Sequence, residues 1–127
     1  MELDDQQTDV AYRCGRLFAL LEKAQTGALG KDLNATIKDR YFSAASSTPA
    51  LVFPRLFRMN AHHLAKLKEG SKGFYQNEFG VLMKEPFAFP KQLSLQQQGR
   101  FIVGYFQERQ YRPNPQNDSP EEATETA

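Results

Sequence analysis

The sequence predicts an all-α protein: an antiparallel bundle of four to five helices, followed by a disordered acidic C-terminal tail. Three observations carry this. Apolar residues recur with a period of about 3.6 in five separate stretches. These stretches are joined by connections of roughly 4–9 residues, the lengths that join packed neighbours in helical domains. No segment of any length shows the apolar–polar alternation of a half-buried strand. The layout expected is a flexible acidic leader over residues 1–8, a bundle over 9–112 and the tail over 113–127.

The first helix is expected from Asp9 to Gln25. Val10, Cys14, Leu17, Phe18 and Leu21 form its buried face, and Arg13, Arg16 and Lys23 lie on the opposite side. Thr26–Leu33, with two glycines, reads as a loop. A second helix starts at Asn34, a good N-cap residue, and runs to Ala45. Ile37, Tyr41 and Phe42 face inward on it, and Lys38 and Arg40 face solvent.

The third helix, Thr48–Glu69, is expected to be the central packing element. Thr48 offers a hydroxyl cap, Pro49 a preset helical φ, and Gly70 a C-cap. Val52, Phe53, Leu56, Phe57, Met59, His63, Leu64 and Leu67 share one broad face. Arg55, Arg58, His62 and Lys66 share an arc of about 80° on the other side. Pro54 removes one amide donor and crowds the carbonyl of Ala50. Either the helix kinks there or the main helix begins at Pro54; the apolar face, already present at Val52 and Phe53, favours a kink.

A fourth helix is expected over Lys72–Lys84, with Phe74, Tyr75, Phe79, Leu82 and Met83 at helical spacing and Gly80 weakening it. Pro86 and Pro90 make the next segment an extended connector whose Phe87 and Phe89 plug the core. Ser94 and Gln97 form a capping-box pattern at the start of a fifth helix. Its apolar side is Leu95, Phe101, Ile102, Tyr105 and Phe106. The tail has three prolines, four acids and no aromatic residue, too little apolar surface to order it.

A formal net charge of +1 hides an uneven distribution. Residues 10–112 hold all 16 Lys and Arg against seven acids, a net of +9, while both flanks are acidic. A basic body of this kind attracts polyanions. Candidate contacts to a nucleic-acid backbone are Arg13, Arg16, Lys23, Lys31, Lys38, Arg40, Arg55, Arg58, Lys66, Lys68 and Lys72. Solvated helix faces also carry Lys and Arg, so the pattern alone is compatible with a plain polar surface.

Signatures of an enzyme, metal site or cofactor site are not found. His62 and His63 are adjacent, so on a helix they point about 100° apart and do not chelate one ion as an i, i+4 pair would. His63 falls in the apolar arc as a core histidine. The single Cys14 lies among apolar positions and is expected as a buried thiol. Gly27 and Gly30 lack the spacing of a phosphate loop. No run of about 18 apolar residues suggests a transmembrane helix, and the acidic N-terminus is unlike a signal peptide. The expected address is the cytoplasm.

Four segments, taken in order and spacing, carry a resemblance: GRLFALLEKAQ (Gly15 to Gln25), NATIKDRYFSAAS (Asn34 to Ser46), TPALVFPRLFRMNAHHLAKL (Thr48 to Leu67) and FPKQLSLQQQGRFIVGYFQER (Phe89 to Arg109). Together they resemble the C-terminal region of the large subunit of type I-C CRISPR Cascade complexes, over residues 11–111. In those systems an internal translation start in the large-subunit gene yields a separate small subunit, and a chain of this length beginning at Met1 looks like that product. A C-terminal fragment of the large subunit is the alternative. The resemblance implies a helical, non-catalytic subunit that supports the guide–target hybrid and the displaced DNA strand. Its implied partners are the backbone and large subunits, another copy of itself, guide RNA and target DNA, with no membrane and no small-molecule substrate. It brings no site motif that transfers residue by residue, so the basic positions above rest on this sequence alone.

Overall fold

A computed structural model describes residues 9–29, 37–85 and 87–111. The expected leader, the Asn34 cap, Lys31, Pro86 and the acidic tail lie outside the described residues. Five helices occur in chain order: α1 (Val10–Leu29), α2 (Ile37–Ser47), α3 (Pro49–Ala65), α4 (Glu69–Leu82) and α5 (Leu95–Gln110). Among the described residues there is no strand, and no helix is long and apolar enough to cross a membrane.

The central element is α1, not α3. Its residues Ala11, Tyr12, Cys14, Leu17, Phe18, Ala19, Leu20, Leu21 and Ala24 are buried, and so are its polar Arg16, Glu22 and Gln25. A helix buried on all sides must be surrounded. It packs on all four other helices and most extensively on α5. The side expected to face solvent is covered by α5 at Arg16 and Lys23 and by the end of α4 at Arg13. Phe18 neighbours Phe53 and, further along, Gly27 nears Leu67 just past α3; Asp9 neighbours Arg100 and Lys23 neighbours Tyr111. Contacts that rise together in sequence show α1, α3 and α5 running in the same sense, as an up-and-down chain of short connections requires.

Two glycines set the closeness of α1 to α5. A Cβ at Gly15 would collide with the Phe101 carbonyl oxygen, and one at Gly104 with the Tyr12 carbonyl oxygen. Both backbones therefore meet with no side chain between them. Above this crossing lies an aromatic core. The Phe18 ring meets Phe42 at 5.5 Å, Phe53 at 6.5 Å, Phe101 at 6.1 Å and Tyr105 at 5.8 Å, all edge-on or tilted, the arrangements that ring quadrupoles favour. Phe89 from the connector stacks on Phe53 at 4.8 Å, so the expected plug is present. The connector is pinned by Ala50 N–H donating to Pro90 O at 2.9 Å and Leu93 N–H to Ser47 O at 2.8 Å.

Several boundaries differ from expectation for local reasons. The first helix continues four residues past Gln25 through Gly27, whose last turn approaches Leu67; tertiary contact offsets the glycine penalty of about 1 kcal/mol. Thr48 does not cap α3. Its hydroxyl and its amide both donate to Ala44 O, at 3.0 and 2.8 Å, and so close α2. Pro49 is the first residue of α3, and the helix runs unbroken through Pro54. It ends at Ala65, where the amides of Lys66 and Leu67 tighten onto His63 O and Leu64 O. Gly70 is therefore not a C-cap. Glu69 opens α4 instead, an acid where a helix N-terminus favours one.

On α5 the capping box forms as expected, with Gln97 N–H donating to Ser94 Oγ at 3.1 Å and Ser94 N–H to Gln97 Oε1 at 2.8 Å. Its buried face is Phe101, Gly104, Tyr105 and Glu108. Leu95 and Ile102, expected inside, are exposed. The start of α2 is capped from another helix: Ile37 N–H donates to Gln25 Oε1 at 3.0 Å.

Candidate nucleic-acid interface

Three of the candidate cations turn inward. Arg16 is buried, and its Nε lies 2.8 Å from Glu108 Oε1, with only 4% and 1% of the two side chains exposed. Lys23 Nζ donates to Glu108 O at 2.6 Å and to Tyr111 O at 3.1 Å, carbonyls at the C-terminal end of α5. Arg13 Nη1 donates to Leu82 O and Lys84 O, both at 3.3 Å, at the end of α4, and its guanidinium lies 5.7 Å from the Phe87 ring centroid. Helix ends leave carbonyls unsatisfied and carry partial negative charge, so cations from α1 are well placed there. These side chains fasten the bundle. The picture of Arg13, Arg16 and Lys23 as an outer basic face is therefore corrected.

The same inner seam holds two further polar contacts. The Tyr105 hydroxyl donates to Glu22 Oε1, and the Tyr12 hydroxyl to Gln107 Oε1. Burial, then the hydrogen bond to Glu22, pushes the Tyr105 phenol well above its ordinary pKa. Lys38, expected at the surface, is half-buried, with Nζ 5.6 Å from the Tyr105 ring centroid and 5.5 Å from that of Phe106.

The stripe on α3 is different. Arg55, Arg58, His62 and Lys66 are all exposed. Between Arg55 and Lys66 it extends about 16 Å along the helix at 1.5 Å per residue. Among the described residues Arg55, Arg58 and Lys66 form no ion pair. Lys68 is exposed and Lys72 half-buried at the turn into α4 that follows the stripe, and Arg40 is exposed on α2. The helix is positioned by Phe53, Leu56 and Asn60, buried on the opposite face. His63, at the boundary, has its pKa lowered by burial first, then by Lys66 and His62. The structure thus gathers Arg55, Arg58 and Lys66 on one face, with the exposed Lys68 in the turn that follows, and separates them from the inward-turned cations of α1.

Other reactive groups are committed or covered. Cys14 is fully buried, and burial pushes its thiol up to about 12. Among the described residues no group of three His, Cys, Asp or Glu side chains could hold a metal ion. Sequence reasoning missed Glu108 as the partner of Arg16. The signal was there: Glu108 follows Phe101 by seven residues, on the same face, and a buried carboxylate demands a cation.

No curated protein matches the chain. A family profile does, and it takes in the whole bundle, from the inward-turned cations of α1 to the last turn of α5. Matching that profile over residues 1–112, the chain belongs to the CRISPR-associated protein family Cas_Csd1.

Proposed function

We propose that this chain is a non-catalytic small subunit of a type I-C CRISPR Cascade complex, and that the outer edge of α3 holds nucleic-acid backbone during R-loop formation. The observation that carries this is the exposed run of Arg55, Arg58 and Lys66 with no acidic partner among the described residues. In an RNA-guided complex the guide reads sequence by base pairing. A subunit that supports the displaced strand or the hybrid then needs charge along a groove and no base-specific contact. R-loop formation is a nearly balanced exchange of duplexes, so a few phosphate contacts tip it. Family membership supports a place in CRISPR defence; the complex type and the subunit rest on the resemblance of the four segments. A non-catalytic role agrees with the covered Cys14 and with Glu22 and Glu108 being engaged by Tyr105 and Arg16.

A second reading is favoured by a specific feature. Leu95 is 85% exposed, and Ile102 and Val103 are each 40% exposed, on the outer side of α5. That surface suits a protein neighbour, which fits a structural adaptor or a C-terminal part of the large subunit. Complexes prepared with and without the chain separate the readings. The nucleic-acid role predicts that assembly proceeds without the chain while target-DNA binding drops. Failure of assembly before DNA is added supports the adaptor.

A further inference from the structure

Between α1, α2 and α3 lies a small cavity lined by Leu21, Gln25, Ile37, Leu56, Met59, Asn60 and His63. Most of this wall is apolar. Asn60 is the exception in the core of α3: it follows Phe53 and Leu56 on the buried face and is only 4% exposed. His63 stands one turn further on, so the two side chains are neighbours on the helix surface. Asn60 Oδ1 and His63 Nδ1 are both cut off from solvent, and neither has a hydrogen-bond partner among the described residues. Buried polar atoms left in that condition are rare, because each loses its hydration and gains nothing in return. Helix packing alone does not explain an asparagine here, since a leucine would continue the face.

The space fits one ligand. The cavity offers about 10 Å³ to the centre of a water molecule, about what a single water needs when two to four polar partners surround it. We infer that Asn60 and His63 hold one ordered water molecule in this cavity. With the imidazole proton on Nε2, His63 Nδ1 is an acceptor, as is Asn60 Oδ1. The water donates one hydrogen to each. The side-chain Oε1 of Gln25 is taken by the Ile37 amide, which leaves the Gln25 side-chain NH2 as the donor to the water's oxygen. The water joins α3 to α1, and it fixes the tautomer of His63.

A crystal structure of the full chain, at a resolution that shows single waters, tests this. The expected result is one water within hydrogen-bond distance of both Asn60 Oδ1 and His63 Nδ1. In Asn60→Leu, close in volume but without the acceptor, that water is lost. A dry cavity in the wild-type chain, or side chains closed on each other directly, overturns the proposal; so does an unchanged water in the variant. Should Asn60→Leu fail to fold, nuclear Overhauser contacts between a long-lived water and side-chain protons of Asn60 in the wild-type chain decide the matter. Their presence supports the site, and their absence contradicts it.

Discussion

The carboxylate of Glu108 determines what the cations of α1 do. It sits on the face of α5 that also buries Phe101 and Tyr105, so it is almost fully withdrawn from water and must be neutralised. Arg16 supplies the charge at 2.8 Å. Removing one partner leaves the other buried and uncompensated, which costs about 3–5 kcal/mol. Arg16→Met is therefore expected to lose about that much stability in urea unfolding, and the double variant Arg16→Met/Glu108→Leu to recover most of it. A double variant as unstable as the single one would show that the pair does more than cancel its own charge. His63 gives a second prediction at this scale. Its pKa is lowered from 6.5 by burial, Lys66 and His62, so the folded chain prefers the neutral imidazole. The preference is fully present above pH 6.5 and is lost as pH falls towards the depressed folded value. Urea midpoints measured on the two sides of that window should fall more on acidification for the wild type than for His63→Leu.

Helix crossings and caps carry the next level. At the α1–α5 crossing the Cβ of an alanine at Gly15 or Gly104 would run into a backbone carbonyl, which cannot rotate away as a flexible side chain can. Overpacking of this kind costs about 1–3 kcal/mol and often more when backbone is the obstacle. Gly15→Ala and Gly104→Ala should each lower the melting temperature, whereas Gly80→Ala, which meets nothing, should leave it unchanged or raise it. The capping box gives a milder case: Ser94→Ala is expected to cost about 1 kcal/mol. How much of each element was legible follows from how local its cause is. The capping box is four residues long and could be read directly, as could the Phe53–Leu56 face and the plugging of Phe89. The end of α3 could not, because Gly70 suggested a stop while the acid at Glu69 and the tightened turn at Lys66 moved it. The true surroundings of α1 were hidden for the same reason. Arg16 and Glu108 are far apart in sequence, and one helix wheel shows a basic side without showing what covers it.

For the whole molecule, the surface divides into parts with different work. The α1–α5 seam holds Arg16 and Lys23, on a buried acid and on the carbonyls at the end of α5, while Arg13 holds the end of α4. The outer side of α5 shows apolar side chains at Leu95, Ile102 and Val103. The edge of α3 shows Arg55, Arg58 and Lys66 beside the exposed Leu51 and His62, with no acid on the helix. Of the site expected from sequence, the α3 stripe stands in the structure as drawn, because an amphipathic helix displays its own two faces. The α1 contribution does not, because the bundle had to be assembled before its cations could be assigned. The candidate surface has thereby narrowed to Arg55, Arg58 and Lys66, with Lys68 and Lys72 following in the chain and Arg40 on α2.

The most direct test of the nucleic-acid role is the salt dependence of target-DNA affinity of the assembled complex carrying Arg55→Glu/Arg58→Glu. Both side chains are exposed, so circular dichroism and thermal unfolding of the variant should match the wild type. Loss of two contacts to single-stranded backbone should reduce the slope of log affinity against log salt by about 1.4, with weaker binding at low salt. An affinity and a slope equal to those of the wild-type complex, in a variant that is folded and assembled, would contradict the role assigned to α3.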